Sequence, residues 1–213
     1  MAFQTNKYKN IIFDLGGVIL NIDQLLAVKA FGNLGIQGFD DLINPGPQKK
    51  LADLYEKGQI SSADFRNGIK TYCPNNLDDD AIDKAWNSML LDLPKARLDL
   101  LLYLKQTLRT FLLSNTNEIH ILSFNSYLHK NFKIDDLSGC FEKIYLSYKL
   151  GMSKPDPEIF ELVLSENKLN PNETLFIDDS IQHIESAKKL GIQTYWLEVK
   201  KESILDLFLP PIA

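Results

Sequence analysis

From Arg109 onward, short apolar runs of strand type alternate with stretches of helical period, and this alternation restricts the fold of the 213-residue chain more than any other feature. Arg109–Leu113, Lys143–Leu146, Glu173–Ile177 and Gln193–Leu197 read as strands. Residues 117–129, 157–166 and 181–190 read as helices, the last closing at Gly191. Strands separated by helices of this length form βαβ units with right-handed crossovers, and therefore a parallel sheet. One more strand, 9–14, stands far upstream of these.

Residues 21–92 lie between that first strand and the rest, and they carry amphipathic helices with no strand signal. Asp23 is placed to cap a helix reaching about Leu34, with Leu25, Leu26, Val28, Phe31 and Leu34 at helical spacing. A loop through Asn44-Pro45-Gly46-Pro47 follows, then a helix over 48–57 that stops at Gly58. Ser61 or Ser62 caps a segment with Ala63, Phe65 and Ile69. Beyond the polar turn Asn75–Asp80, the helix 79–91 sets Ile82, Trp86, Met89 and Leu90 on one face. Pro94 opens a helix that buries Leu98, Leu101, Leu102 and Leu104, and Ile204–Leu209 is a short amphipathic segment before Pro210-Pro211. The expected class is α/β with an all-helical insertion.

A net charge of −5 argues against a nucleic-acid partner, which calls for a basic patch or stripe. Phosphate ligands stay open, because a bound divalent cation inverts the local field. Cys73 and Cys140 have neither a metal-site spacing nor the density of a disulfide scaffold, so both are expected as free thiols. With no leader-like segment and no apolar run of membrane length, the expected location is the cytoplasm, with no membrane partner.

The strand-type run Ile11-Ile12-Phe13 ends on Asp14 and turns through Gly16-Gly17. The next strand ends in Ser114-Asn115-Thr116 and a later one in Asp178-Asp179-Ser180, while Lys154 stands in Ser153-Lys154-Pro155-Asp156-Pro157. In a parallel sheet these strand ends share one edge, where open α/β sheets bind their ligands. The glycines allow close backbone approach and can offer N–H groups to an anion. Adjacent acids repel unless solvated or neutralised by a cation, and with Asp14 they make a hard-oxygen set suited to Mg²⁺. Taken singly, each element also reads as a helix cap, a turn or a solvated lysine.

In this order the four motifs resemble the haloacid dehalogenase-like hydrolase superfamily, among its members the bacterial sugar-phosphate phosphatases of the glucose-1-phosphatase type. The resemblance covers the whole chain. It implies a Rossmann-like doubly wound core formed by 1–20 and 93–213, with 21–92 as a helical cap, for which Glu56-Lys57-Gly58-Gln59-Ile60-Ser61 and Phe65 are typical. It implies a Mg²⁺-dependent phosphatase of a small phosphorylated metabolite, with Asp14 as nucleophile and Lys154 as the second catalytic residue. Ser114, Asn115, Lys154 and Gly17 would bind the phosphate. Asp14, the Gly16 carbonyl and Asp179 would hold the metal, with Asp178 close by.

The chain departs from the family at two places. The acid/base Asp usual two residues after the nucleophile is Gly16, and positioned acid–base catalysis contributes about 10²–10⁴-fold. A substrate with a good leaving group, a substitute such as Asp23, or slow turnover with transfer to another acceptor would each accommodate this. A phosphate-ligand sensor with weak catalysis and, further off, a metal-free dehalogenase are the rival classes. The second departure is His183, where Asn or Asp is common; it reads as an exposed residue in the first turn of a helix. Tyr55, Gln59, Phe65, Arg66 and Trp86 are candidates to face the cleft, although Phe65 and Trp86 also fit a core stripe. The substrate and the oligomeric state are not legible at this level.

Overall fold

A computed structural model describes residues 7–36, 47–73 and 77–208. Asn44, Pro45 and Gly46 of the expected loop, Asn75 and Asn76 of the expected turn, and Leu209, Pro210 and Pro211 at the end of the expected last segment lie outside the described residues. Five parallel strands, β1 (Asn10–Phe13), β2 (Arg109–Ser114), β3 (Lys143–Leu146), β4 (Thr174–Asp178) and β5 (Gln193–Trp196), form one sheet in the order β3-β2-β1-β4-β5. Asn10 pairs with Arg109 on one side and with Thr174 on the other, so β1 lies at the centre. The chain runs outward from β1 through β2 to β3, then returns to the far side of β1 for β4. The direction of winding therefore reverses at β1, and a crevice opens at the C-terminal ends of β1, β2 and β4.

Strand residues alternate between the two faces. Ile11, Phe13, Leu112, Leu175 and Ile177 pack on one face with α5 (Lys95–Leu104), α6 (Glu118–Phe132) and α10 (Ile204–Phe208). Ile12, Phe111, Leu113, Tyr145 and Phe176 pack on the other with α8 (Pro157–Asn167) and α9 (Ile181–Lys189). A single helical turn, α7 (Ser147–Leu150), follows β3 and was not foreseen in the sequence. On α5 the buried set is Leu98, Leu100, Leu101 and Leu104, while Leu102 faces solvent. Leu100 thus takes the place expected for Leu102, because the helix is covered over more than one stripe.

Among the described residues four helices lie between β1 and α5: α1 (Gln24–Asn33), α2 (Pro47–Glu56), α3 (Ser62–Lys70) and α4 (Asp79–Asn87). Asp23 caps α1 by accepting from the Leu25 N–H, and Ser61 with Asp64 forms a reciprocal capping box on α3. Buried Ala27 and Phe31 form the inner face of α1, and Leu25 and Leu26 are exposed, contrary to the expected stripe. Helix α4 ends at Asn87, earlier than expected, because the chain there turns to meet the outgoing connection. The Asp23 N–H donates to the Met89 carbonyl at 2.9 Å, and Ile22 forms an antiparallel bridge with Leu90. The two connections of the helical unit are therefore tied together at its base.

Phe31, Tyr55, Phe65, Ile69, Ile82 and Trp86 form a third cluster inside this unit, and it includes Ile119 of α6. Trp86 stacks on His120 with ring centroids 4.8 Å apart, and its indole N–H donates to Asn117 at 3.3 Å. The Tyr55 hydroxyl accepts from the Ile119 N–H, one of the free donors at the start of α6. Tyr55, Phe65 and Trp86 are thus core residues, and Arg66 is paired with Asp83 at 2.7 Å. Of the five cleft candidates, Gln59 alone faces the cleft described below. Cys73 is half-buried and Cys140 buried, both free. Among the described residues no helix is long and apolar enough to cross a membrane.

His120 gives this seam an acid sensitivity. Its Nδ1 meets Asn87 Oδ1 at 2.9 Å, its Nε2 has no partner among the described residues, and burial pushes its pKa down to about 3. A depressed histidine keeps the folded state neutral while the unfolded chain takes up a proton below about 6.5. Stability is complete above that pH and is lost as pH falls towards the folded value. Denaturant unfolding should show a loss of about 2 kcal/mol between pH 7 and pH 5 from this residue. That slope should be absent from His120→Gln.

Candidate active site

Asp14 stands just past the end of β1, its N–H donating to the Ile177 carbonyl of β4 at 2.9 Å. Asp178 ends β4 and Asp179 follows it. The carboxylates of Asp14, Asp178 and Asp179 offer oxygen atoms that all lie within 4.8 Å of one another. Lys154 reaches this group from the loop before α8. Its Nζ donates to Asp14 Oδ1 at 2.6 Å and to Asp178 Oδ2 at 2.7 Å, with its side chain fully buried. The loop is held by Asn115, whose amide nitrogen donates to the Lys154 carbonyl at 2.8 Å and whose amide oxygen accepts the Lys154 N–H at 2.9 Å. The Asn115 side chain therefore positions the lysine. The adjacent Ser114 is buried, and its hydroxyl makes only a long contact, 3.4 Å, to the Asn115 carbonyl.

Burial, reinforced by Asp178 and Asp179 and opposed by Lys154, pushes the Asp14 pKa up to about 7. Asp179 is also raised, by burial first and then by Asp178. Burial works against the charged form of Asp178 as well, but Lys154 and His183 outweigh it and hold that carboxyl low. Burial opposes the Lys154 ammonium too, yet its two carboxylates together hold its pKa above the usual value. Three acids face one lysine, and the imbalance disfavours the charged forms of Asp14 and Asp179.

Two expectations change at this point. The Gly17 N–H, expected to face an anion, donates to the Leu20 carbonyl at 2.9 Å within the turn and is not available to a phosphate. What Gly17 supplies is room. Its φ is +75°, and a Cβ there would lie 2.3 Å from Asp179 Oδ2. Gly17→Ala should displace the Asp179 carboxylate and weaken Mg²⁺ binding by about tenfold or more, measured by calorimetric titration of the metal. The second change concerns His183. It is half-buried, and its Nδ1 lies 2.9 and 3.0 Å from the two oxygens of Asp178. Sequence reasoning passed over this contact because a first-turn helix residue is usually solvated, and the only signal was His in place of Asn or Asp. Asp23 remains a helix cap and does not line the cleft.

Next to Lys154 and His183 opens a cleft of about 430 Å³. Asn115, Ser153, Lys154, Gln182 and His183 line it from the sheet edge, and Lys50, Asp53, Glu56 and Gln59 from the helical unit. Leu54 and Pro155 are its only apolar contributors among the described residues. Lys57 crosses its mouth to Asp156 at 2.8 Å. The lining is suited to a polar, hydroxylated ligand rather than an apolar one.

A family profile of haloacid dehalogenase-like hydrolases matches residues 8–191. The chain belongs to the haloacid dehalogenase-like (HAD-like) hydrolase family. This HAD-like hydrolase is 35% identical over 187 residues to a D-ribitol-5-phosphate phosphatase from Bacteroides thetaiotaomicron, covering 88% of this chain and 90% of that protein. A crystal structure of a HAD family enzyme from Bacteroides thetaiotaomicron superposes with a TM-score of 0.85 at 39% identity, over 95% of this chain and 99% of that one. Another, a wild-type complex with magnesium and inorganic phosphate, gives a TM-score of 0.78 at 39% identity, over 89% and 93% of the two chains. The parallel sheet and the family expected from the four motifs agree with these matches.

Proposed function

We propose that this HAD-like hydrolase is a Mg²⁺-dependent phosphomonoester hydrolase acting on a small sugar or polyol phosphate through an aspartyl-phosphate on Asp14. The observation that carries the proposal is the Lys154 ammonium bridging Asp14 and Asp178, with Asp179 alongside, next to a polar cleft that Lys154 also lines. The donor set fits a hard divalent cation. All three side chains are carboxylates, and their charge exceeds what one lysine neutralises. Asp14, Asp179 and the Gly16 carbonyl, which accepts no hydrogen bond from the described residues, would hold the ion. Asp178 is engaged by Lys154, His183 and the Ser180 N–H, so its part is to brace the lysine. When bound, Mg²⁺ supplies charge neutralisation between the anionic nucleophile and the anionic substrate, and orients their oxygens.

In this reading an Asp14 oxygen attacks phosphorus and the bond to the leaving alkoxide breaks, so that one difficult displacement becomes two easier ones. Lys154, the Ser114 hydroxyl and the Asn115 N–H take the phosphoryl oxygens, on which transition-state charge is spread. Residues 1–20 and 93–213 form the catalytic core. Residues 21–92 act as its cap, whose Lys50, Glu56 and Gln59 face the leaving group. The test is inorganic phosphate release from a panel of sugar and polyol phosphates with Mg²⁺, beside an Asp14→Asn control. Release that depends on both Mg²⁺ and Asp14 supports the reading. The absence of release above the control on every ester would refute it.

One observation favours a slower second step. A Cβ at Gly16 would lie 3.1 Å from the Ile22 methyl, so an apolar side chain lines the place from which an acid/base would act. The aspartyl-phosphate would then persist and could pass its phosphoryl group to an acceptor other than water. The contact is with the tip of a flexible side chain, so Gly16→Asp should be accommodated. We expect it to raise kcat for phosphate release by about 10²-fold, by supplying the missing acid/base. An unchanged kcat would mean that another group already performs this role.

A further inference from the structure

His183 is braced on Asp178 through one ring nitrogen and lines the polar cleft, and the reaction described above gives its other ring nitrogen no part. The ring follows directly from the start of α9, with Ser180 preceding the helix and the Ser180 N–H also donating to Asp178, at 2.8 Å. Both oxygens of Asp178 lie within 3.0 Å of His183 Nδ1, so the ring edge carrying Nδ1 is committed to the floor of the site. Nε2 sits on the other edge and has no hydrogen-bond partner among the described residues. The ring itself lines the cleft next to Gln182 and across from residues of the helical unit. Asp178 is in turn held by Lys154, so the position of Nε2 is fixed relative to the ammonium and to Asp14.

We propose that His183 is a specificity-determining residue whose Nε2 hydrogen-bonds a hydroxyl of the leaving group, selecting polyol or sugar phosphates over esters that lack one. The proposal rests on the phosphatase reading above and names the group that recognises the substrate beyond its phosphate. A hydroxyl both donates and accepts, so the contact forms with either protonation state of the ring. Gln182, which shares this wall of the cleft, carries an amide that also both donates and accepts, but no contact holds it to the catalytic residues. The braced ring is pre-organised and loses little freedom on binding.

His183→Asn separates the two nitrogens. Its short amide keeps a donor where Nδ1 lies, so Asp178 and Lys154 stay in place, and it removes Nε2. With D-ribitol 5-phosphate, kcat/KM should fall by about fivefold to tenfold, carried by KM, the amount expected for one neutral hydrogen bond. With phenyl phosphate, whose leaving group before cleavage has no free hydroxyl, the loss should be smaller, so that the preference for D-ribitol 5-phosphate over phenyl phosphate falls by about fivefold. His183→Ala, which removes the brace as well, should depress both substrates. Equal losses on both esters in His183→Asn, or no loss on either, would overturn the assignment. The phosphatase reading is judged separately, on wild-type release from the same two esters. Calorimetric titration of D-ribitol 5-phosphate into Mg²⁺-loaded Asp14→Asn and Asp14→Asn/His183→Asn reads the same contact without turnover. Binding about fivefold weaker in the double variant supports it, and equal affinity overturns it.

Discussion

Asp14→Asn should lower Mg²⁺-dependent phosphate release by at least about 10⁴-fold and, in metal-free buffer above pH 7, make the protein more stable. The first effect follows from the proposed role of Asp14, because the variant lacks the carboxylate oxygen that would attack phosphorus. The second follows from the electrostatics of the acid cluster in metal-free buffer. Burial and two neighbouring acids push the Asp14 pKa up to about 7, while the unfolded chain keeps the ordinary value near 3.8. The folded state therefore holds this proton more tightly, and stability declines as pH rises from about 4 through 7. An amide at this position removes that slope, and Lys154 keeps its second partner, Asp178, at 2.7 Å. Denaturant unfolding of the two proteins in the presence of a chelator should show the variant ahead by a few kcal/mol at pH 8 and level with the wild type near pH 4. Titrating Mg²⁺ back should close the gap, because the ion relieves the same repulsion in the wild type.

Lys154→Met should also abolish activity, with the opposite sign on stability. Without the ammonium, Asp14 and Asp178 lose their shared partner at a site where both are buried. Removing one side of a buried ion pair costs about 3–5 kcal/mol, because the charge left behind has no compensation. The metal-free variant should unfold at correspondingly lower denaturant, most clearly above pH 7 where the acids are ionised. Catalytically, the proposed donor to the transferring phosphoryl group would be lost together with the restraint on Asp14, and kcat should fall by about 10³-fold. Two inactive variants that move stability in opposite directions would distinguish a charge-balanced active site from one in which each residue merely packs. Equal destabilisation in both would contradict the charge account.

Much of the sheet was legible from sequence because its three central strands, β1, β2 and β4, are buried on both faces. Ile11, Ile12 and Phe13, for example, form an unbroken apolar run that ends where the chemistry starts. The site was legible for a related reason. Polar residues placed directly after such runs have one shared destination, the C-terminal edge of a parallel sheet. Lys154 was visible only through the motif around it, since a loop lysine carries no periodicity. What could not be read depends on neighbours far along the chain. Leu25 and Leu26 fit a helical stripe as well as Phe31 does, and the packing of α1 on α4 decides which face is covered. Gly17 looked like an anion nest, but the Leu20 carbonyl takes its N–H, and its purpose becomes visible only against Asp179. His183 required Asp178 five residues earlier to be seen in three dimensions.

The central claim is a covalent intermediate on Asp14, and trapping it is the most direct test. The protein would be mixed with Mg²⁺ and D-ribitol 5-phosphate, quenched in acid within the first turnover, digested and mapped by mass spectrometry. The account predicts a phosphoryl group on the peptide containing Asp14, absent without Mg²⁺ and absent from Asp14→Asn. Because Ile22 lines the place of the usual acid/base, that species should accumulate more in the wild type than in Gly16→Asp. Phosphate released at full rate with no label on Asp14 in either protein would contradict it.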